Sequence, residues 1–252
     1  MVASSSPQGR FPGATLLDGR TLERAEAWGK HLFVGFAGMA EQVHVHLGLY
    51  GAFRFEPGVP PVTGQVRWRV SDEGTTADLR GPTACELLTP DETASILDRL
   101  GPDPLRDDVD RDAFVARVLR SRATIATLLM DQAVIAGVGN VYRAEVLFRH
   151  GIDPFVQGRS LPSSLVEAVW ADLVSLMREG VRTGRIDTVR PEHEPEAMGR
   201  PPRRDDHGGE VYVYRRDGQP CWVCGSTILT RVVGARNLFW CPNCQPAVPS
   251  ER

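Results

Sequence analysis

Short runs of alternating apolar and polar residues fill the first hundred positions, and beyond them the apolar spacing lengthens to three or four. Lys30–Phe36, Gln42–Leu47, Ala52–Phe55, Gln65–Val70 and Thr76–Leu79 predict short strands, with Pro57, Pro60 and Pro61 marking a loop. Together they predict an antiparallel sandwich or barrel. Asp91–Leu100 reads as a short helix, and Gly101-Pro102-Asp103-Pro104 as the break between halves. Helical periodicity then predicts Arg111–Leu119 with Asp110 as its cap, Ala123–Met130, and Gly139–Phe148 stopped by Gly151. Pro162–Thr183 is a longer amphipathic helix, with Leu165, Val169, Leu173 and Leu176 on one face. Arg190–Gly209 is rich in proline and charge and has no period, which predicts a mobile linker or loop.

The last forty residues carry two Cys-x-x-Cys knuckles, Cys221/Cys224 and Cys241/Cys244, sixteen residues apart. That spacing fits one tetrahedral metal held between the ends of a β-hairpin, zinc before iron. Ser226–Val233 reads as one strand, Gly234–Asn237 as the tip and Leu238–Trp240 as the return, so the tip carries Arg236. Disulfides are the other use of four cysteines. They are disfavoured because no N-terminal stretch reads as a signal peptide and Cys85 is left over.

Composition changes this picture little. The 252 residues are 42% apolar and 24% charged, long enough for two domains, and no apolar run reaches the length of a membrane span. The formal net charge of −3 does not announce a polyanion binder. From Val211 onward, however, five arginines face Asp217 and Glu251, so the hairpin end is locally basic. Cysteine usage favours a reducing compartment.

Four further features are candidates for chemistry. Gly137-Val138-Gly139-Asn140 opens a helix, where exposed N–H groups suit a phosphate; tight helix packing is the ordinary alternative. Lys30 stands at the start of a strand, where an ordinary lysine is a solvated charge. His44 and His46 alternate onto one strand face and would ordinarily be hydrogen-bonded structural residues. Leu49 and Tyr50 follow Gly48 at a hairpin tip, either capping a core or available to enter the space left by an extruded base.

Several segments, in order along nearly the whole chain, resemble the formamidopyrimidine-DNA glycosylase and endonuclease VIII family of bacterial base-excision repair enzymes. They are Trp28-Gly29-Lys30-His31-Leu32, His46-Leu47-Gly48-Leu49-Tyr50-Gly51, Leu100-Gly101-Pro102-Asp103-Pro104-Leu105, Ile135–Glu145 and the closing hairpin ending Cys241-Pro242-Asn243-Cys244-Gln245. The resemblance implies an α+β protein of two domains. A β-sandwich over residues 1–100 would precede a helix–two-turn–helix domain over 101–190, a linker over 191–210 and a zinc finger over 211–248, with DNA held in the cleft. By match of motif, Lys30 is the active-site lysine, while Asn140 and Arg236 grip the phosphates flanking a flipped nucleotide. His46 is a further phosphate contact, and Leu49 and Tyr50 fill the void. The last two are nearer the endonuclease VIII branch, which prefers oxidised pyrimidines and abasic sites. One structural Zn2+ on Cys221, Cys224, Cys241 and Cys244, damaged or abasic duplex DNA as partner, no membrane, a monomer and a cytoplasmic, nucleoid-associated place complete what it implies.

The family's nucleophile is an N-terminal proline followed by glutamate. The proline amine attacks the sugar C1′, expels the base and forms an iminium ion, after which the strand is cleaved. This sequence opens Met1-Val2-Ala3-Ser4-Ser5-Ser6-Pro7. The catalytic segment is therefore expected to be missing, through a displaced start or through conversion to a damaged- or abasic-DNA-binding module without turnover. Pro7 cannot replace it, because its nitrogen is an internal amide.

Overall fold

The computed structural model describes residues 1–204 and 209–247. The chain forms two compact units, Met1–Arg99 and the chain from Leu100 onward.

The first unit runs β1 (Ala3–Ser5), α1 (Ala14–Leu17), β2 (Leu22–Trp28), β3 (His31–Phe36), β4 (Gln42–His46), β5 (Ala52–Pro57), β6 (Trp68–Ser71), β7 (Thr75–Arg80), β8 (Ala84–Leu88) and α2 (Pro90–Leu97). The strands form two four-stranded antiparallel sheets, ordered β1-β6-β7-β5 and β2-β3-β4-β8. Alternation decides which side chains go inside. Val34, Phe36, Val43 and Val45 of one sheet join Trp68 and Leu79 of the other, closed by Phe11, Ala14 and Leu17. The Trp68 indole N–H donates to Ser4 Oγ at 3.0 Å, so the polar end of a buried ring is satisfied. Cys85 lies in this core, and burial pushes its thiol up to about 12, which makes it an inert filler. The helix expected over Asp91–Leu100 begins a residue earlier and ends three earlier. Thr89 and Glu92 form a capping box and Pro90 supplies the first turn.

The second unit contains α3 (Arg111–Leu119), α4 (Ile125–Leu128), α5 (Asn140–Arg149), α6 (Ser163–Thr183), α7 (Pro195–Met198), β9 (Leu229–Val233) and β10 (Arg236–Trp240). Asp110 caps α3 as expected, accepting from the N–H groups of Asp112 and Ala113. The element expected over Ala123–Met130 is only one turn, capped by Thr124. Helix α5 is the axle of this unit, with every residue from Val141 to Phe148 buried. Val146 and Leu147 pack with Val169 and Leu173 of α6, while Val141, Ala144 and Phe148 pack with Val211–Tyr214 and Phe239. Among the described residues no helix is long and apolar enough to cross a membrane.

Two sequence expectations gain detail here. The stretch from Arg190 to Arg204 includes the one-turn α7 and is tied to residues further along the chain. The Arg190 N–H donates to the Tyr212 hydroxyl at 2.8 Å, and Arg200 Nη1 pairs with Glu210 Oε2 at 2.7 Å. Asp205–Gly208, and Val248 at the end of the expected zinc-finger span, lie outside the described residues. The hairpin tip is also shorter than expected. Gly234 and Ala235 alone make the turn, both with positive φ, and Arg236 and Asn237 belong to β10.

Candidate functional site

The four knuckle cysteines converge. All four sulfur atoms lie within 4.8 Å of one another, with Cys221–Cys244 at 3.8 Å and Cys224–Cys241 at 3.4 Å. A disulfide would need about 2.0 Å. Four thiolates each about 2.3 Å from a central zinc stand about 3.8 Å apart, so this donor set fits that ion. The N–H groups of Val223 and Cys244 point at the sulfurs of Cys221 and Cys241, both at 3.5 Å. Neighbours anchor the cluster to the helical body. The Gln245 side chain accepts from the Cys241 N–H at 3.0 Å and donates to the Ile152 carbonyl at 2.9 Å. The guanidinium groups of Arg200 and Arg216 both pack over the Trp222 ring, at 4.4 and 3.6 Å from its centroid.

The far end of the hairpin meets the start of α5. Asn140 Nδ2 donates to the Asn237 carbonyl at 2.9 Å, so residues 97 apart in sequence hold Arg236 beside the helix N-terminus. Gly139 offers no side-chain cap, which leaves first-turn N–H groups for another acceptor. The preceding turn is rigid. Gln132 accepts from the Gly137 N–H at 3.0 Å and donates to the Val138 carbonyl at 3.1 Å. The Gly101 N–H donates to the Gln132 carbonyl at 2.8 Å, and a Cβ on Gly101 would fall 2.5 Å from the Val134 carbonyl carbon. That close approach is the physical reason for Gly101-Pro102.

Arg143, one turn into α5, was not singled out by sequence reasoning, although its spacing of three from Asn140 was a usable signal. It is 1% exposed and donates to Asn140 Oδ1 and to the Asn237 carbonyl, while its Nε has no partner. Burial first, then nearby Arg236, pulls it down to about 10, so it remains cationic at neutral pH. Two guanidinium groups held together beside uncapped N–H groups make a site that favours an anion.

In the first unit Lys30 occupies the two-residue turn between β2 and β3, with Gly29 in the left-handed region, rather than the strand itself. It is exposed. His46 ends β4, half-buried, and pairs across the sheet with His31. His44 and His46 do share a face, as expected, and His31 joins them there. The rings of His31 and His46 stack at 4.9 Å, and those of His31 and His44 at 5.1 Å. His31 Nδ1 and His44 Nε2 are 2.8 Å apart, and His44 Nδ1 lies 3.1 Å from Glu86 Oε1. Leu49 and Tyr50 project from the next turn, 68% and 89% exposed. Gly48 has φ +70°, and a Cβ there would fall 2.0 Å from Thr83 Oγ1.

Burial, followed by the charges of His44, His46, Arg99 and Lys30, lowers His31 to about 4. A histidine in the unfolded chain takes its proton near pH 6.5. The native state is therefore penalised as pH falls from about 6.5 towards 4, because the unfolded state binds the proton first. Thermal unfolding between pH 7.5 and 4.5 is expected to show a falling acid limb. His31→Phe should flatten part of it; an unchanged limb would remove this assignment.

Three family descriptions match along the chain. They are the formamidopyrimidine-DNA glycosylase N-terminal domain over residues 4–85, its H2TH domain over 100–191, and the zinc finger found in FPG and IleRS over 218–247. Endonuclease 8 1 of Mycobacterium tuberculosis is 51% identical over 250 residues, covering 97% of this chain and 91% of that protein. Formamidopyrimidine-DNA glycosylase of Stenotrophomonas maltophilia is 34% identical over 240 residues, covering 92% and 84%. The crystal structure of the MutM (Fpg) protein from Thermus thermophilus superposes with a TM-score of 0.75 at 29% identity, covering 98% of this chain and 91% of that one. The three matched regions follow in order from residue 4 to 247, and with a relative 51% identical over almost the whole chain, the chain belongs to the formamidopyrimidine-DNA glycosylase and endonuclease VIII family.

Proposed function

We propose that this protein recognises oxidised-base and abasic sites in duplex DNA as the lesion-gripping body of a base-excision DNA glycosylase with abasic-site lyase activity. The observation that carries the reading is the bond between Asn140 Nδ2 and the Asn237 carbonyl, which sets Arg236 beside the uncapped start of α5. A base stacked in a duplex must be extruded before its sugar can be attacked, at a cost of a few kcal/mol. Asn140 and Arg236 pinch the flanking phosphates, with Arg143 behind them holding both in place. His46 and Lys30 offer a second phosphate-binding face, and Leu49 and Tyr50 enter the vacated stack and offset part of the extrusion cost. One zinc ion on Cys221, Cys224, Cys241 and Cys244 serves as a structural staple for the hairpin. The protein works as a monomer in the bacterial cytoplasm, at the nucleoid. The names of its relatives, an endonuclease 8 and several formamidopyrimidine-DNA glycosylases, support this reading.

The covalent chemistry in the family belongs to an amine next to a carboxylate. Borohydride trapping on an abasic duplex therefore tests turnover, with this chain beside a version headed by Pro-Glu. An adduct from the headed version supports the glycosylase and lyase reading. Abasic-site binding with no adduct from either version leaves a lesion-binding module without turnover. The grip has its own test. Asn140→Ala and Arg236→Ala should each weaken binding to an abasic duplex by about 10- to 100-fold, the range for losing one charge-assisted hydrogen bond, and affect undamaged duplex less. Equal losses on both duplexes would end the pinching role.

A further inference from the structure

The sheet face beside Lys30 carries a hydrogen-bonded chain whose polarity is set by its far end. Glu86, half-exposed, turns its carboxylate Oε1 towards His44 as the acceptor that ends the chain. His44, 4% exposed, must then carry its proton on Nδ1, 3.1 Å away, and present a bare Nε2. His31 Nδ1, at 2.8 Å from that nitrogen, must donate. The neutral His31 ring is left with a bare Nε2, a proton acceptor stacked on His46 and next in sequence to Lys30. Phe33 stacks on His44 at 5.2 Å and holds the buried ring in register.

We propose that Glu86, His44 and His31 form a proton-linked arm of the DNA-phosphate site, in which docking of a backbone phosphate beside Lys30 and His46 places a proton on His31 Nε2. The inference rests on the DNA-binding reading above. The balance is simple. One proton moves from solvent to His31 Nε2, no other bond breaks, and the resulting imidazolium still donates through Nδ1 to His44, whose own N–H reaches the Glu86 carboxylate. His31 is the phosphate contact, and His44 and Glu86 are positioning residues that fix its tautomer and stabilise its charge.

The groups facing His31 make the free site resist protonation and the occupied site favour it. Lys30 adjoins it in the turn, His44 and His46 face it from β4, and Arg99 follows α2. From β2, Trp28 lies opposite and Glu26 two pairs further along, opposite Phe33. From β8, Glu86 acts through His44. Every cation in this set repels a proton in the free protein, and His31 and His46 are both lowered. A phosphate brought among them reverses the sign of the local field, and an opposite charge at close range raises a pKa by about 1–3 units.

The test is binding of a duplex bearing a tetrahydrofuran abasic analogue, measured by anisotropy at constant salt from pH 8 to 5.5. Calorimetry in buffers of different ionisation enthalpy would count the protons taken up. Affinity should rise by about tenfold between pH 7.5 and 5.5, with uptake approaching one proton per complex at the acid end. His31→Phe should remove most of this slope, and Glu86→Gln should reduce it. Nitrogen NMR of the unsubstituted protein gives a readout that needs no variant. His31 should carry a proton on Nδ1 alone when free at pH 6.5 and on both nitrogens when bound. Salt-dependent binding with a flat pH response, or a slope unchanged in His31→Phe, overturns the relay and leaves the DNA-binding reading standing. No binding at any pH overturns both.

Discussion

Cys241→Ser is expected to remove the hairpin from the fold and reduce abasic-duplex binding by more than about 100-fold, the largest single-residue loss on this surface. The hairpin cannot stand on its own apolar contacts. Leu229 and Val232 are 40% and 65% exposed, and the inner side offers Ile228, Leu238 and Phe239, with Val233 and Trp240 only partly buried. A two-stranded hairpin of this size is marginal in water without a further constraint. Binding of zinc to such a site contributes roughly 10–16 kcal/mol, far more than these contacts can. Arg236 and Asn237 stand at one end of the strands and the cysteines at the other, so on the proposed reading loss of a zinc ion would release Arg236 from a distance. Chelator titration followed by amide exchange on Leu229–Trp240 and by anisotropy reads both events. Retained exchange protection after the metal is gone would falsify the staple role.

A comparable loss of stability is expected from Glu145→Ala. This fully buried carboxylate accepts from the N–H groups of Tyr212, Val213 and Tyr214 at 2.7, 2.8 and 2.9 Å, and from the Thr188 hydroxyl at 2.6 Å. Alanine leaves three backbone donors buried without an acceptor, each costing about 1–3 kcal/mol, so the second unit should lose roughly 3–5 kcal/mol. For a domain of this size that lowers Tm by about 10 °C. Glu145→Gln should recover only part of the loss, because its amide nitrogen brings a donor to face donors. Scanning calorimetry checks the order wild type, Gln, Ala. A Gln variant as stable as wild type would show that the carboxylate's second oxygen is dispensable. The same bonds explain how the finger is rooted, since Tyr212–Tyr214 lead directly into the first knuckle.

Much of this architecture was legible where local chemistry dictates it. Four cysteines at fixed spacing announce their convergence, and Asp110 announces the start of α3. The family motifs drew attention to Asn140 and Arg236, and the structure bonds Asn140 to Asn237, the neighbour of Arg236. Other parts were hidden for identifiable reasons. Strand β2 reads Leu-Glu-Arg-Ala-Glu-Ala-Trp, mostly residues of good helix propensity, and is a strand only because β3 pairs with it. Ala3–Ser5 is too short and too small to carry a period. The His31–His44–Glu86 chain depends on register across β3, β4 and β8, which no single segment encodes. Arg143 and Glu145 sat in plain view within the Ile135–Glu145 motif, but charged residues on a helix ordinarily face water. Their burial follows from α5 being covered on both sides, a tertiary fact.

The turn that carries Leu49 and Tyr50 separates two evolutionary pressures. Its shape is dictated by Gly48, which no larger residue can replace without striking Thr83, and by Gly51, where a Cβ would fall 2.2 Å from the Leu47 carbonyl oxygen. The two side chains at its apex contribute almost nothing to the core, being largely exposed. Folding therefore polices the glycines and leaves the apex open to variation. Substitution of the apex residues would change the shape that this turn presents to solvent, while the scaffold beneath keeps its stability.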